Sequence, residues 1–180
     1  MISRVLVICF LATATVAEAQ VYLTRTGRID FYSNAPMEII HAYSDKLKGA
    51  IDLQKKSFAF TVKIRSFEGF NSPLQREHFN ENYMESDKYP DAVFEGKIIE
   101  DLSFEADGKQ PARAKGIITI HNIKREIIIP VELKAEGAVI TDLARFILMP
   151  KDFGIRIPKI VHEKIASEIN VEVKLSLIKN

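Results

Sequence analysis

Apolar and polar residues alternate one for one along most of this chain. Phe58, Phe60, Val62 and Ile64 share one side of an extended segment, opposite Ala59, Thr61, Lys63 and Arg65. Ile169, Val171, Val173, Leu175 and Leu177 oppose Asn170, Glu172, Lys174 and Ser176. Leu47, Gly49, Ile51 and Leu53 oppose Lys48, Ala50, Asp52 and Gln54, and Ile127, Ile129, Val131 and Leu133 oppose Glu126, Ile128, Pro130 and Glu132. A strand points successive side chains to opposite faces, so this period predicts antiparallel strands with one buried and one wet face.

Turn residues punctuate the runs. Lys55-Lys56, Asp107-Gly108, His121-Asn122 and Glu136-Gly137 all lie between alternating segments. Asn and Gly tolerate the left-handed backbone that tight turns require. About eight strands are expected, over 22–33, 38–54 with a break near Ser44, 57–67, 92–101, 112–121, 125–136, 138–149 and 168–178. One segment departs from the period. Leu74–Ser86 is predicted as a short helix, with Ser72 as its cap, Pro73 at its first position, and Phe79 and Tyr83 on one face. Residues 151–166 form a second irregular connection, held so by Pro150 and Pro158.

The amino terminus follows a different logic. Arg4 precedes an apolar run, Val5–Ala12, that is too short to span a bilayer. Ala17-Glu18-Ala19 has the small-x-small form of a signal-peptidase site. Residues 1–19 are therefore expected to be a signal peptide, and 20–180 one exported domain, periplasmic or secreted. A lipobox reading of Cys9 is weak, because Ile8 is not small. Cys9 is the only cysteine, so removing the leader leaves no thiol, no disulfide framework and no Cys-based metal site. No later stretch approaches the length of a membrane helix. The 180 residues carry a net charge of +1, which argues against a dedicated nucleic-acid binder.

Eight strands in one domain suggest a barrel or a sandwich. A barrel of this size either fills its interior with side chains or leaves room for one small ligand. Ala92, Phe94, Gly96 and Ile98, and Ala114, Gly116, Ile118 and Ile120, fall on the apparent inner faces of two strands. Small residues there either open a cavity or permit bends, and this feature alone does not choose between them.

Three stretches carry a resemblance. The first runs from Arg76-Glu77-His78-Phe79 through Glu85-Ser86-Asp87 to Tyr89-Pro90-Asp91-Ala92-Val93-Phe94. The second is Gly116-Ile117-Ile118-Thr119-Ile120-His121-Asn122-Ile123-Lys124-Arg125, and the third is Asp152-Phe153-Gly154-Ile155. In order and spacing they resemble the YceI-like, polyisoprenoid-binding family across roughly residues 45–178. Asn122 and Glu126 depart from the family's Gly and Pro at those places. The resemblance implies an all-β, antiparallel, up-and-down, lipocalin-like barrel with the short helix near one end. It further implies a long-chain lipid or isoprenoid ligand, such as an isoprenoid quinone, held without a cofactor, and it allows a homodimer. The expected wall residues are Phe58, Phe60, Val62, Ile64, Phe94, Ile98, Ile118, Ile120, Ile129, Val131, Val171 and Val173. Arg76 and His78 are expected near the mouth, against a polar head.

The remaining polar residues point to plainer roles. His78, Glu81 and Glu85 recur at helical spacing, which reads as a solvated face and not as a metal site. His121 is expected to make a structural hydrogen bond across its turn. His41 and His162 carry no motif, and Lys55-Lys56 and Lys124-Arg125 read as solvated turn charges. Two rival functions remain in view: an enzyme on a small lipid using His78 or His121 with a carboxylate, and a solidly packed barrel serving as an interaction module.

Overall fold

The computed structural model of the chain describes residues 21–102 and 108–180. The leader reading and the Asp107 half of the Asp107-Gly108 turn lie outside them. Eight strands form a closed barrel in sequence order: β1 Val21–Asn34, β2 Ile39–Asp52, β3 Ser57–Lys63, β4 Asp91–Ile98, β5 Lys109–Ile120, β6 Ile123–Glu136, β7 Val139–Leu148 and β8 Ile169–Lys179. Every neighbouring pair is antiparallel, and β1 pairs with β8 to close the ring. Closure gives each described strand a partner on both sides, although β2 meets β3 only over Lys48–Asp52 and β6 meets β7 only over Val131–Glu136.

The turns follow their residues. His121 and Asn122 both adopt positive φ, 52° and 60°, between the partners Ile120 and Ile123. That is the two-residue hairpin loop whose twist matches the flanking strands. Gly137 takes φ 59° between Glu136 and Val139, where a side chain would be strained. The turn at 53–56 is held by the Lys55 amide donating to Asp52 Oδ1 at 2.9 Å.

The expected break near Ser44 is a pair of bulges. Register slips between Thr24 and Gly27 on β1, and again between Gly27 and Ile29 as β2 passes from Leu47 to Ser44. Before the slip Ile40, Ala42 and Ser44 are buried; after it Leu47 and Ile51 are. An extra residue in β2 thus moves the inward parity from even to odd.

The helix is split. Helix α1 spans only Pro73–His78, capped by Ser72 Oγ accepting from the Gln75 amide at 3.1 Å. Residues Phe79–Tyr83 continue as one π-helical turn, in which the Met84 amide donates to the Phe79 carbonyl at 2.9 Å. α1 buries none of its residues. The inward contacts begin at the π turn, with Phe79 packing 5.5 Å from Phe31 and 5.0 Å from Phe70. This segment, the β5–β6 hairpin and the 149–168 connection share one end of the barrel. The β2–β3 and β6–β7 turns share the other.

Candidate functional site: the barrel cavity

The inward faces of the eight strands enclose a cavity of about 280 Å³. Close packing leaves few voids larger than a water molecule, so this barrel is not filled by its own side chains. Its size lies near the lower end of small-molecule pockets, about 300 Å³. Phe60, Phe94, Val131 and Val173 point inward yet are only half-buried, because the hollow lies on their open side.

All twelve expected wall residues, from Phe58 on β3 to Val173 on β8, border this space. Three strands add walls that the sequence reading did not single out. β1 contributes Ile29 and Phe31, β2 contributes Leu47 and Ile51, and β7 contributes Ala144, Phe146 and Leu148. Phe31, Phe67, Phe70 and Phe79 form an aromatic cluster at the helix end, with ring centroids 5.0–6.0 Å apart. The half-buried lining residues Gln75, Tyr83, Ile155, Ile157 and Ile165 gather at this end, which forms the mouth. The other end is blind, stopped by Leu133, Ile140 and Leu177 at no more than 1% exposure.

Arg76 and His78 do not border the cavity. Both are exposed on α1, and the Arg76 guanidinium donates to the Arg65 carbonyl at 3.0 Å. The short helix rides on the surface, and its inward positions are taken by Phe79 and Tyr83.

The paired glycines have a tighter explanation than either sequence reading. Gly96 and Gly116 face each other across β4 and β5. A Cβ on Gly96 would lie 2.1 Å from the Lys115 carbonyl oxygen, and one on Gly116 would lie 2.3 Å from that of Glu95. Neither glycine borders the cavity. Both let two strand backbones approach each other closely.

His121 draws the three family-like stretches together. Its Nε2 lies 2.7 Å from Glu85 Oε2, its Nδ1 lies 3.2 Å from the Phe153 carbonyl, and its ring meets Tyr89 edge-on at 4.4 Å. The hydrogen bond expected across its own turn is instead made to two distant segments. Both ring nitrogens are committed, and the ring lies outside the cavity lining.

A second polar cluster sits on the outer face of β1 and β2. Asp30 is buried, its Oδ2 accepting from Arg28 Nε and its Oδ1 lying near His41 Nε2, both at 2.8 Å. Burial pushes its carboxyl up, but the hydrogen bonds from Arg28 and His41 outweigh this and hold it below the ordinary range. His41 stacks on Tyr32 at 4.5 Å, and Arg28 covers Tyr43 at 4.1 Å. Sequence reading left His41 without a role, since its partners lie on a neighbouring strand.

Comparison with known proteins supports what the geometry describes. A polyisoprenoid binding domain from Saccharophagus degradans superposes with a TM-score of 0.76 at 12% identity, covering 91% of this chain and 100% of its own. BcnA from Burkholderia cenocepacia gives 0.67 at 17% identity, covering 83% and 95%. The YCEI protein from Campylobacter jejuni gives 0.56 at 14%, covering 100% and 99%. At these identities the likeness shows the fold. No curated protein sequence is similar enough to count as a match. The model of the YceI-like domain matches residues 16–177, nearly the whole chain, and the protein therefore belongs to the YceI-like family.

Proposed function

We propose that this protein is exported and holds a polyisoprenoid, such as an isoprenoid quinone, or another long-chain amphiphile inside its barrel. The cavity carries the reading. Among the described residues that line it, only Ser33, Gln75, Tyr83 and Asp142 have polar side chains. Such a tube excludes water and rewards a hydrocarbon chain. Burial contributes about 0.8 kcal/mol per CH₂, so a ten-carbon tail gains about 8 kcal/mol before the cost of immobilisation. The polyisoprenoid binding domain with the same fold agrees with this ligand class, and the leader-like residues 1–19 agree with export.

The lipid-modifying reading has less support. His121 has no nitrogen free for a substrate, and His78 sits outside the cavity. The packed-module reading conflicts with the hollow interior.

Native mass spectrometry of protein purified from its own host tests the proposal. A bound species of lipid mass is the expected result. Protein that emerges empty and also ignores added isoprenoid quinone would refute it. Sequencing the amino terminus of the same material tests export, with Gln20 expected as the first residue.

A further inference from the structure

Among the described residues Asp142 is the one acidic side chain in the cavity lining. It sits on β7 with Leu133 of β6 and Leu175 of β8 as its cross-strand partners, both buried. That row lies at the blind end. Its Oδ1 is buried and has no hydrogen-bond partner. Four such buried atoms occur among the described residues, and only the one on Asp142 borders the cavity. Two of the other polar lining groups are already engaged: Ser33 Oγ accepts from the Ala166 amide at 2.8 Å, and Gln75 Nε2 donates to Glu38 at 2.9 Å.

A buried carboxyl oxygen without a donor is costly, and a domain tolerates it where a ligand supplies the partner. We propose that Asp142 makes the blind end a head-group subsite, so that the cavity takes, head first, long-chain amphiphiles whose head donates hydrogen bonds, a primary amine above all. This deepens the lipid-binding reading and rests on it. An ammonium offers three N–H donors and cancels the carboxylate charge inside hydrocarbon, whereas an anionic head would place two like charges there. In the same row Gln110, the partner of Leu133, buries an amide oxygen that also lacks a donor. The tail then runs back past Phe58 and Phe94 to the apolar mouth.

Among the described residues no competing charge faces the site. The side chains beside Asp142 from β6 and β8 are leucines, and the neighbouring Glu132, Lys134, Lys174 and Arg145 alternate to the outer face. Tyr83, the other titratable lining residue, lies at the mouth. Burial pushes the Asp142 carboxyl up to about 7 despite one hydrogen bond from the Leu143 amide. Amine affinity is therefore expected to rise with pH as the carboxylate forms.

Delipidated full-length protein and its D142N and D142L variants are titrated with dodecylamine, dodecanol and dodecanesulfonate at pH 6 and 8.5. Wild type is expected to bind dodecylamine at least tenfold tighter than the sulfonate at pH 8.5, and tighter than it does at pH 6. Both differences are expected to fall within twofold in D142L, with dodecanol affinity falling less than that of dodecylamine. Equal wild-type affinities for all three heads, or a preference that survives in both variants, would overturn the subsite and leave the lipid-binding reading standing. Failure of every dodecyl probe to bind wild type would overturn both.

Discussion

Changing Asp142 to Asn in the ligand-free protein isolates one titration from all others. The carboxyl is shifted upward from 3.8 to about 7 by burial among leucines. Between those values the unfolded chain has already lost the proton that the folded chain keeps, so stability falls as pH rises. Asp142 therefore contributes most below its ordinary pKa, and that contribution is gone above about pH 7. At 1.36 kcal/mol per unit, the wild type should lose about 3 kcal/mol from this group between pH 4.5 and pH 8. Asp30, Glu100 and Glu172 are shifted downward by their charged partners and lose their contributions at the acid end instead. They act equally in wild type and variant and cancel in the difference. Urea unfolding at pH 4.5, 6, 7 and 8 measures that difference. D142N should gain on wild type by about 3 kcal/mol across the range, or roughly 6–12 °C in Tm for a domain of this size. Parallel curves for the two proteins would mean that Asp142 is ionised and solvated in the fold, and would refute the argument from burial.

Three further outcomes follow from the geometry. Ala144→Phe places an aromatic ring in the open space beside Val131 and Val173; it should reduce alkyl-probe affinity at least tenfold in titrations while urea unfolding stays within about 2 kcal/mol of wild type. Gly96→Ala and Gly116→Ala each drive a methyl into the facing backbone, so each should cost more than about 2 kcal/mol in chemical denaturation, with full retention of stability as the contrary result. Arg28→Met leaves Asp30 buried with His41 as its remaining side-chain hydrogen-bond partner among the described residues and should destabilise by about 2 kcal/mol at neutral pH, a loss that shrinks as pH falls and Asp30 protonates.

The barrel was legible because alternation and turn chemistry agree at the β2–β3, β5–β6 and β6–β7 hairpins. Phe58 to Ile64 and Ile169 to Leu177 keep one parity throughout, so their inner faces could be read directly. β1 and β2 could not be read that way, since the slips around Gly27 and Leu47 change parity inside each strand. Ile29 and Phe31 consequently escaped notice as walls. β7 held a readable signal in Ile140, Asp142, Ala144, Phe146 and Leu148, where an acid occupies an inward position. Arg76 and His78 were placed by motif likeness, and nothing in their spacing reveals that α1 buries none of its residues. The Glu85–His121–Phe153 junction spans three separate segments, and local pattern has no access to such contacts.

The paired bulges also set where this chain can tolerate a change in length. Removing one residue at Asp45 or Lys46 would erase the bulge and still leave Leu47 and Ile51 facing inward, two and six positions after Ser44. Adding one beyond the bulge, between Leu47 and Lys48, would instead turn Lys48 into the hollow and Ile51 toward water. Reversing every side chain beyond the insertion is a far heavier penalty than lengthening an exposed turn such as Gln54–Lys55. A residue count on two adjacent strands, invisible in composition, thus works as a reading frame for the cavity wall.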